Sequence, residues 1–294
     1  MKVFVTGGES FVGSHLWKLL ENSGHEVSGI DVVPSSRPTC RKLDLRDAAL
    51  ADVIPDGATV VHLAAVSTDP ACRADPLGAF DVNIGGTINV ARAALARKCP
   101  QLIFASTEWV YGDVANEGVQ LEDDAIDVTR IPSAYAFSKV AGERVLAFAG
   151  LANVTVLRFG IIYGPREKNW SAVESLADSV RQGKDISVGS LKTARRFIDV
   201  DDLCRGIMAS FGQLGFQVFN LAGDRLVSLG DVLEAAQAAL HRRVAITEKQ
   251  PANSSVRNAA SDKAERMLAW RPQTPFADGV RRFLESQHKG HHHG

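Results

Sequence analysis

The chain has 294 residues, 45% of them hydrophobic and 23% charged, enough to bury a sizeable core in one elaborated domain or two. Its 33 basic residues are balanced by 34 acidic ones, which removes the electrostatic case for binding nucleic acid or an anionic membrane surface. No apolar run approaches the roughly 20 residues that span a bilayer, and the first residues read as a strand rather than a signal peptide, so a cytoplasmic location is expected.

Residues 2–6, KVFVT, read as a short buried strand, and TGGESFVG (6–13) turns directly into a helical pattern through Leu16, Leu19 and Leu20. A strand, a glycine turn and a helix together make an anion site, because the turn aims backbone N–H groups and the positive end of a helix dipole at one point. Gly7, Ser10, Phe11, Val12 and Gly13 would form it around a pyrophosphate. The next strand, HEVSGID (25–31), ends in Asp31, 18 residues after Gly13. A carboxylate there accepts from adenosine ribose hydroxyls and repels a 2′-phosphate, so NAD is expected rather than NADP.

Further strand-like runs follow: a weaker RKLDL (41–45), then ATVVHLAA, QLIFAS, VTVLRF and FQVFNLAG, with helical patterns between them. This alternation predicts an α/β protein with a doubly wound parallel sheet, a Rossmann arrangement covered by helices on both faces. The longest irregular stretch, 113–132, is acidic and either shapes a substrate mouth or connects elements. After VTVLRF the pattern changes: YGPREKNW (163–170), a helix through SAVESLADSVRQG and a segment from about 241 to 287 carry fewer strand signals. Cys40, Cys72, Cys99 and Cys204 have no paired or metal-type spacing and fit reduced thiols. No metal site is expected, and KGHHHG at the end (within 288–294) resembles a purification-tag remnant.

Tyr135 and Lys139, in SAYAFSKVAGERVL (133–146), stand four apart, so a helix puts the phenol and the ammonium on one face. An ammonium beside a phenol lowers its pKa. Bringing Tyr from about 10 to about 7 takes roughly 4 kcal/mol, which one cation plus an oxidised nicotinamide is expected to supply, leaving a general base at neutral pH. QLIFAS should deliver Ser106, Thr107 and Glu108 to the carboxyl edge of the sheet, where ligands of doubly wound folds bind.

These segments resemble the short-chain dehydrogenase/reductase superfamily, and within it the sugar-modifying NAD-dependent epimerase/dehydratase family. The resemblance rests on TGGESFVG, Asp31, LDLRD (43–47), VVHLAA (60–65), NIGGTINVARAA (83–94), FASTEWVYG (104–112), YAFSK (135–139), LRFGIIYGP (157–165) and RRFIDVDD (195–202). It implies an NAD-binding domain from residues 1–160 plus about 194–240. It also implies a small, mainly C-terminal substrate-binding lobe from about 161–193 plus 241–287. Tyr135, Lys139 and a hydroxyl at Thr107, with Ser106 one residue earlier, would surround a sugar carbinol. Asp44 and Leu45 would flank the adenine, and Leu63, Ala64 and Ala65 would leave room for the dinucleotide. Ser67, Thr107, Glu108 and Arg195 would face the substrate.

Within the resemblance, Ser10 replaces a usual glycine and must turn its side chain away from the pyrophosphate. Trp109 stands where dehydratases carry a proton-abstracting Glu, and since an indole takes no proton, dehydration is disfavoured. Ile161 replaces an Asn that contacts the substrate diphosphate, whereas Arg195 matches a diphosphate-binding Arg, unless it pairs with Asp199, Asp201 or Asp202. The expected activity is epimerisation of a nucleotide-linked sugar. A net dehydrogenase or reductase of a free sugar, sugar acid or keto-sugar is the alternative, and a non-enzymatic NAD-binding protein a third reading. A homodimer is expected, because the helices carrying NIGGTINVARAALARK and AYAFSKVAGERVLAF are apolar on more than one face.

Overall fold

The computed structural model describes residues 1–112, 118–167 and 171–289. Parts of the acidic stretch (113–117) and of YGPREKNW (168–170), and residues 290–294 of the segment expected to be a tag remnant, lie outside the described residues. Seven strands form one sheet: β1 (Lys2–Thr6), β2 (Glu26–Asp31), β3 (Cys40–Lys42), β4 (Thr59–His62), β5 (Leu102–Thr107), β6 (Asn153–Phe159) and a seventh, Gly215–Leu221. Their order is seventh, β6, β5, β4, β1, β2, β3, and every neighbouring pair is parallel. β4 and β5 are buried along their whole length, which is why they read as continuous apolar runs rather than alternating ones. The winding reverses between β1 and β4, and a crevice opens there at the carboxyl ends of the strands.

Helices cover both faces. On one, Leu16, Trp17 and Leu20 of the helix Phe11–Asn22 pack with Leu203 and Ile207 of Val200–Ala209. On the other, Leu50, Ile54, Val90, Ala94 and Leu146 meet Phe4, Val60 and Phe104. Each large apolar side chain so buried contributes about 1.5–3 kcal/mol, so the two layers fix the sheet edge on which the site is built.

A separate core joins the helices Ala172–Arg181, Leu229–Leu240 and Phe276–Lys289 with the strand pair Ile186–Val188 and Ile246–Glu248. Val232, Leu233 and Ala236 bury the apolar face of Leu229–Leu240 against this second core, not against the sheet. Conversely, Ala264, Leu268 and Trp270 return to the main core, where Trp270 Nε1 donates to Asp202 O at 3.1 Å.

Candidate active site

The glycine turn packs tightly on the loop after β4 and on the first helix. Gly7 has φ +77°, and a Cβ there would lie 2.9 Å from Ala64 N; one on Gly13 would lie 2.0 Å from Gly7 O. Ser10 caps the first helix: its Oγ donates to Gly7 O (2.7 Å) and accepts from Gly13 N (3.0 Å). The hydroxyl is thereby folded into the turn, as the replacement of a glycine requires. A helix leaves its first N–H groups without intrahelical partners, and Phe11 and Val12 carry theirs at the cleft wall. At the end of β2 the Asp31 carboxylate accepts from Glu9 N at 2.9 Å and from Val33 N at 3.1 Å. Asp44, Leu45, Leu63, Ala64 and Ala65 line the same cleft, whose volume is about 840 Å³. Arg46 binds the Asp44 carboxylate through Nε (2.9 Å) and Nη2 (2.7 Å) and holds it down to about 2. The first-turn donors and the β2 carboxylate, on one cleft wall, are what a dinucleotide needs, so these residues fit NAD.

Tyr135 opens the helix Ala134–Ala147, whose N-cap Ser133 accepts from Ala136 N at 3.2 Å. Ser138 Oγ donates to Tyr135 O (2.7 Å) and accepts from Asn83 Nδ2 (3.0 Å). Asn83 also bonds both backbone groups of Val66, so it ties the loop after β4 to the tyrosine turn. It lies in a π-helical segment, Asp81–Gly85, a distortion frequent at functional sites. Burial pushes the Tyr135 phenol up to about 12, and the neighbouring Thr107 hydroxyl works in the opposite direction. Lys139 is 4% exposed; its Nζ donates to Ala105 O at 2.8 Å and lies 4.9 Å from the Phe104 ring centre. Burial brings this ammonium down to about 8. The expected lowering of the phenol requires an oxidised nicotinamide beside the ammonium; in the protein alone desolvation dominates at Tyr135, and Lys139 spends a hydrogen bond on a carbonyl.

Ser106 and Thr107 part company. Ser106 Oγ donates to Glu143 Oε1 at 2.6 Å, inside a buried pair in which Arg158 Nε and Nη2 reach the two Glu143 oxygens at 3.1 and 2.9 Å. The Ser106 hydroxyl is committed to that network, whereas Thr107 lines the cleft beside Tyr135.

Ser67, Glu108, Trp109 and Ile161 also line the cleft. Glu108 is 1% exposed, and neither of its carboxyl oxygens has a hydrogen-bond partner. Arg195 Nε approaches it at 3.8 Å and Arg257 adds a second positive field, yet burial dominates and pushes the carboxyl up to about 7. Arg195 does not pair with the aspartates that follow it. Asp199 and Asp201 are held by Arg282, and Asp202 by Arg205. Arg195 instead donates to Ala194 O and Ser255 O and stands behind Glu108. The sequence reading missed Arg166, which lines the cleft, lies 4.3 Å from the Phe11 ring centre and pairs with Glu174 at 2.8 Å. The capping box Ser171 to Glu174 was the only local signal near it, since pairs distant in sequence leave no spacing.

A doubly wound sheet, a glycine turn at its switch point and a half-buried Tyr beside a buried Thr and Lys at the edge define an NAD-dependent enzyme of the short-chain dehydrogenase/reductase class. The model of the NAD dependent epimerase/dehydratase family matches residues 3–222, and the chain belongs to that family. It is 28% identical to a Bacillus subtilis protein called uncharacterized UDP-glucose epimerase YtcB, over 99% of this chain and 100% of that one. It is 29% identical to UDP-glucuronate 4-epimerase 1 of Arabidopsis thaliana, over 97% of this chain and 76% of that one. The solved structure of MoeE5 in complex with UDP-glucose and NAD superposes with a TM-score of 0.87 at 26% identity, covering 99% of each chain.

Proposed function

We propose that this protein is an NAD-dependent epimerase of a UDP-linked hexose or hexuronate, oxidising a ring carbinol to a ketone and reducing it on the other face. The observation that carries the reading is the meeting of Thr107, Tyr135 and Lys139, the lysine one turn behind the tyrosine, in the cleft that also holds the glycine turn. NAD, when bound, supplies the hydride acceptor and later donor, and a positive charge beside the phenol. Tyr135 takes the sugar hydroxyl proton on Oη and returns it when the ketone is reduced. Thr107 orients that hydroxyl. Lys139, fixed by Ala105 O, holds a positive charge close to the developing phenolate. Ser67 and Glu108 face the sugar, Arg195 supports the substrate side from behind Glu108, and the lobe built on Ala172–Arg181 closes over the nucleotide. The two relatives named for epimerases acting on UDP-glucose and UDP-glucuronate support the substrate class.

The test is incubation with UDP-glucose and with UDP-glucuronate, following epimer formation by proton NMR and reduced nicotinamide by absorbance. Epimer without net absorbance change is expected; stoichiometric reduction of added NAD would instead establish the dehydrogenase reading.

A cytoplasmic homodimer completes the proposal. Leu95, Phe137 and Phe148 are exposed on and just beyond the helices Gly86–Ala96 and Ala134–Ala147, an apolar face that a second copy would cover. Light scattering at micromolar concentration should give twice the monomer mass, and a monomer would remove this part.

A further inference from the structure

Glu9 joins two groups at the ribose end of the cleft. Its backbone N–H donates to Asp31 Oδ2 at 2.9 Å, and its carboxylate accepts from Ser35 Oγ and, at 2.5 Å, from Arg37 Nη1. The same guanidinium nitrogen donates to Gly8 O at 3.1 Å, and the guanidinium carbon lies 5.2 Å from the Trp17 ring centre. A carboxylate, a carbonyl and an aromatic face thus hold Arg37 against the glycine turn. Glu9 lines the cleft together with Asp31, and the Arg37 side chain keeps 28% of its surface exposed, so it is tethered rather than entombed.

A 2′-phosphate on the adenosine ribose would lie against Asp31 and therefore beside Glu9. It would meet two carboxylates. Arg37, whose planar fork suits a phosphate, already has its charge matched by Glu9. Discrimination between two ligands is often achieved by withholding a partner from the wrong one as much as by repelling it. We infer that Glu9 is a second determinant of NAD over NADP, acting by keeping Arg37 paired inside the turn. The inference depends on the family's use of NAD and is independent of the substrate and of the epimerase reading.

The test measures which dinucleotide is bound, without turnover. Protein is equilibrated with equal NAD and NADP, freed of unbound nucleotide by gel filtration, and the bound dinucleotide is released with acid and quantified by chromatography. Asp31→Ser should raise the NADP to NAD ratio about tenfold, and Asp31→Ser with Glu9→Gln about tenfold more, a second gain that shrinks at high salt. Adding Arg37→Met should return the ratio to the Asp31→Ser value. Glu9→Gln keeps the shape of the side chain and an acceptor for Ser35; Glu9→Ala in the same background must give the same Arg37-dependent gain. A double variant no better than Asp31→Ser, or a gain that survives Arg37→Met, overturns the inference.

Discussion

The Lys139 ammonium lies 5.9 Å from the ring centre of Tyr135 and is anchored on the Ala105 carbonyl at 2.8 Å, so it stands near the tyrosine while its hydrogen bond goes to the backbone. Tyr135→Phe, which removes only the hydroxyl, should lower turnover by about 10²–10⁴-fold while leaving bound NAD in place, measured by epimer formation and by release of the dinucleotide with acid. Lys139→Met should lose turnover and bound NAD together.

The two neighbouring hydroxyls on β5 should behave differently. Thr107→Ala is expected to reduce turnover by at least about tenfold, because it removes the hydroxyl beside Tyr135 in the cleft. Ser106→Ala should cost about 1 kcal/mol of stability and little activity, since Arg158 still satisfies Glu143. Initial rates and thermal melts of the two variants check this.

Glu143 and Arg158 form an ion pair with both side chains buried, 2.9 Å apart. Replacing either partner alone strands a charge, and Glu143→Gln or Arg158→Met should destabilise the fold by about 3–5 kcal/mol in denaturant unfolding.

Glu108 makes stability depend on pH. Its carboxyl is raised from 4.5 to about 7 in the folded protein, so between these values the folded state holds a proton that the unfolded chain has released. Stability therefore falls as pH rises through this window, by up to about 3 kcal/mol for this one group. Glu108→Gln should flatten that part of the profile, which melting temperatures at pH 4.5, 6 and 7.5 would record.

Gly13→Ala should abolish NAD retention and lower the melting temperature. The added Cβ would lie 2.0 Å from a backbone oxygen, Gly7 O, which no side-chain rotation relieves.

Local signals made much of this legible. The six stronger strand runs, the glycine turn, Asp31 and the Tyr135 and Lys139 pair are contiguous patterns with fixed spacings, and the sheet assembles them as read. What depends on partners far along the chain was not legible. Ser106 is spoken for by Glu143, 37 residues later, and Arg195 by Ser255, 60 residues later. The helix Leu229–Leu240 is amphipathic whichever core receives it, so its sequence does not say which one does. The Tyr135 phenol shows the same limit: spacing placed the cation near it, but the balance between burial and charge is a property of the assembled site.

The account turns on hydride leaving and returning to one sugar carbon beside Tyr135. The direct measurement uses a UDP-sugar deuterated at the reacting carbon, with product analysed by NMR and mass spectrometry after conversion by the wild-type protein and by Tyr135→Phe. Inverted product that keeps its deuterium at that carbon, formed by the wild type and not by the variant, is the predicted result. Loss of the label to solvent, or inversion undiminished in Tyr135→Phe, would contradict it.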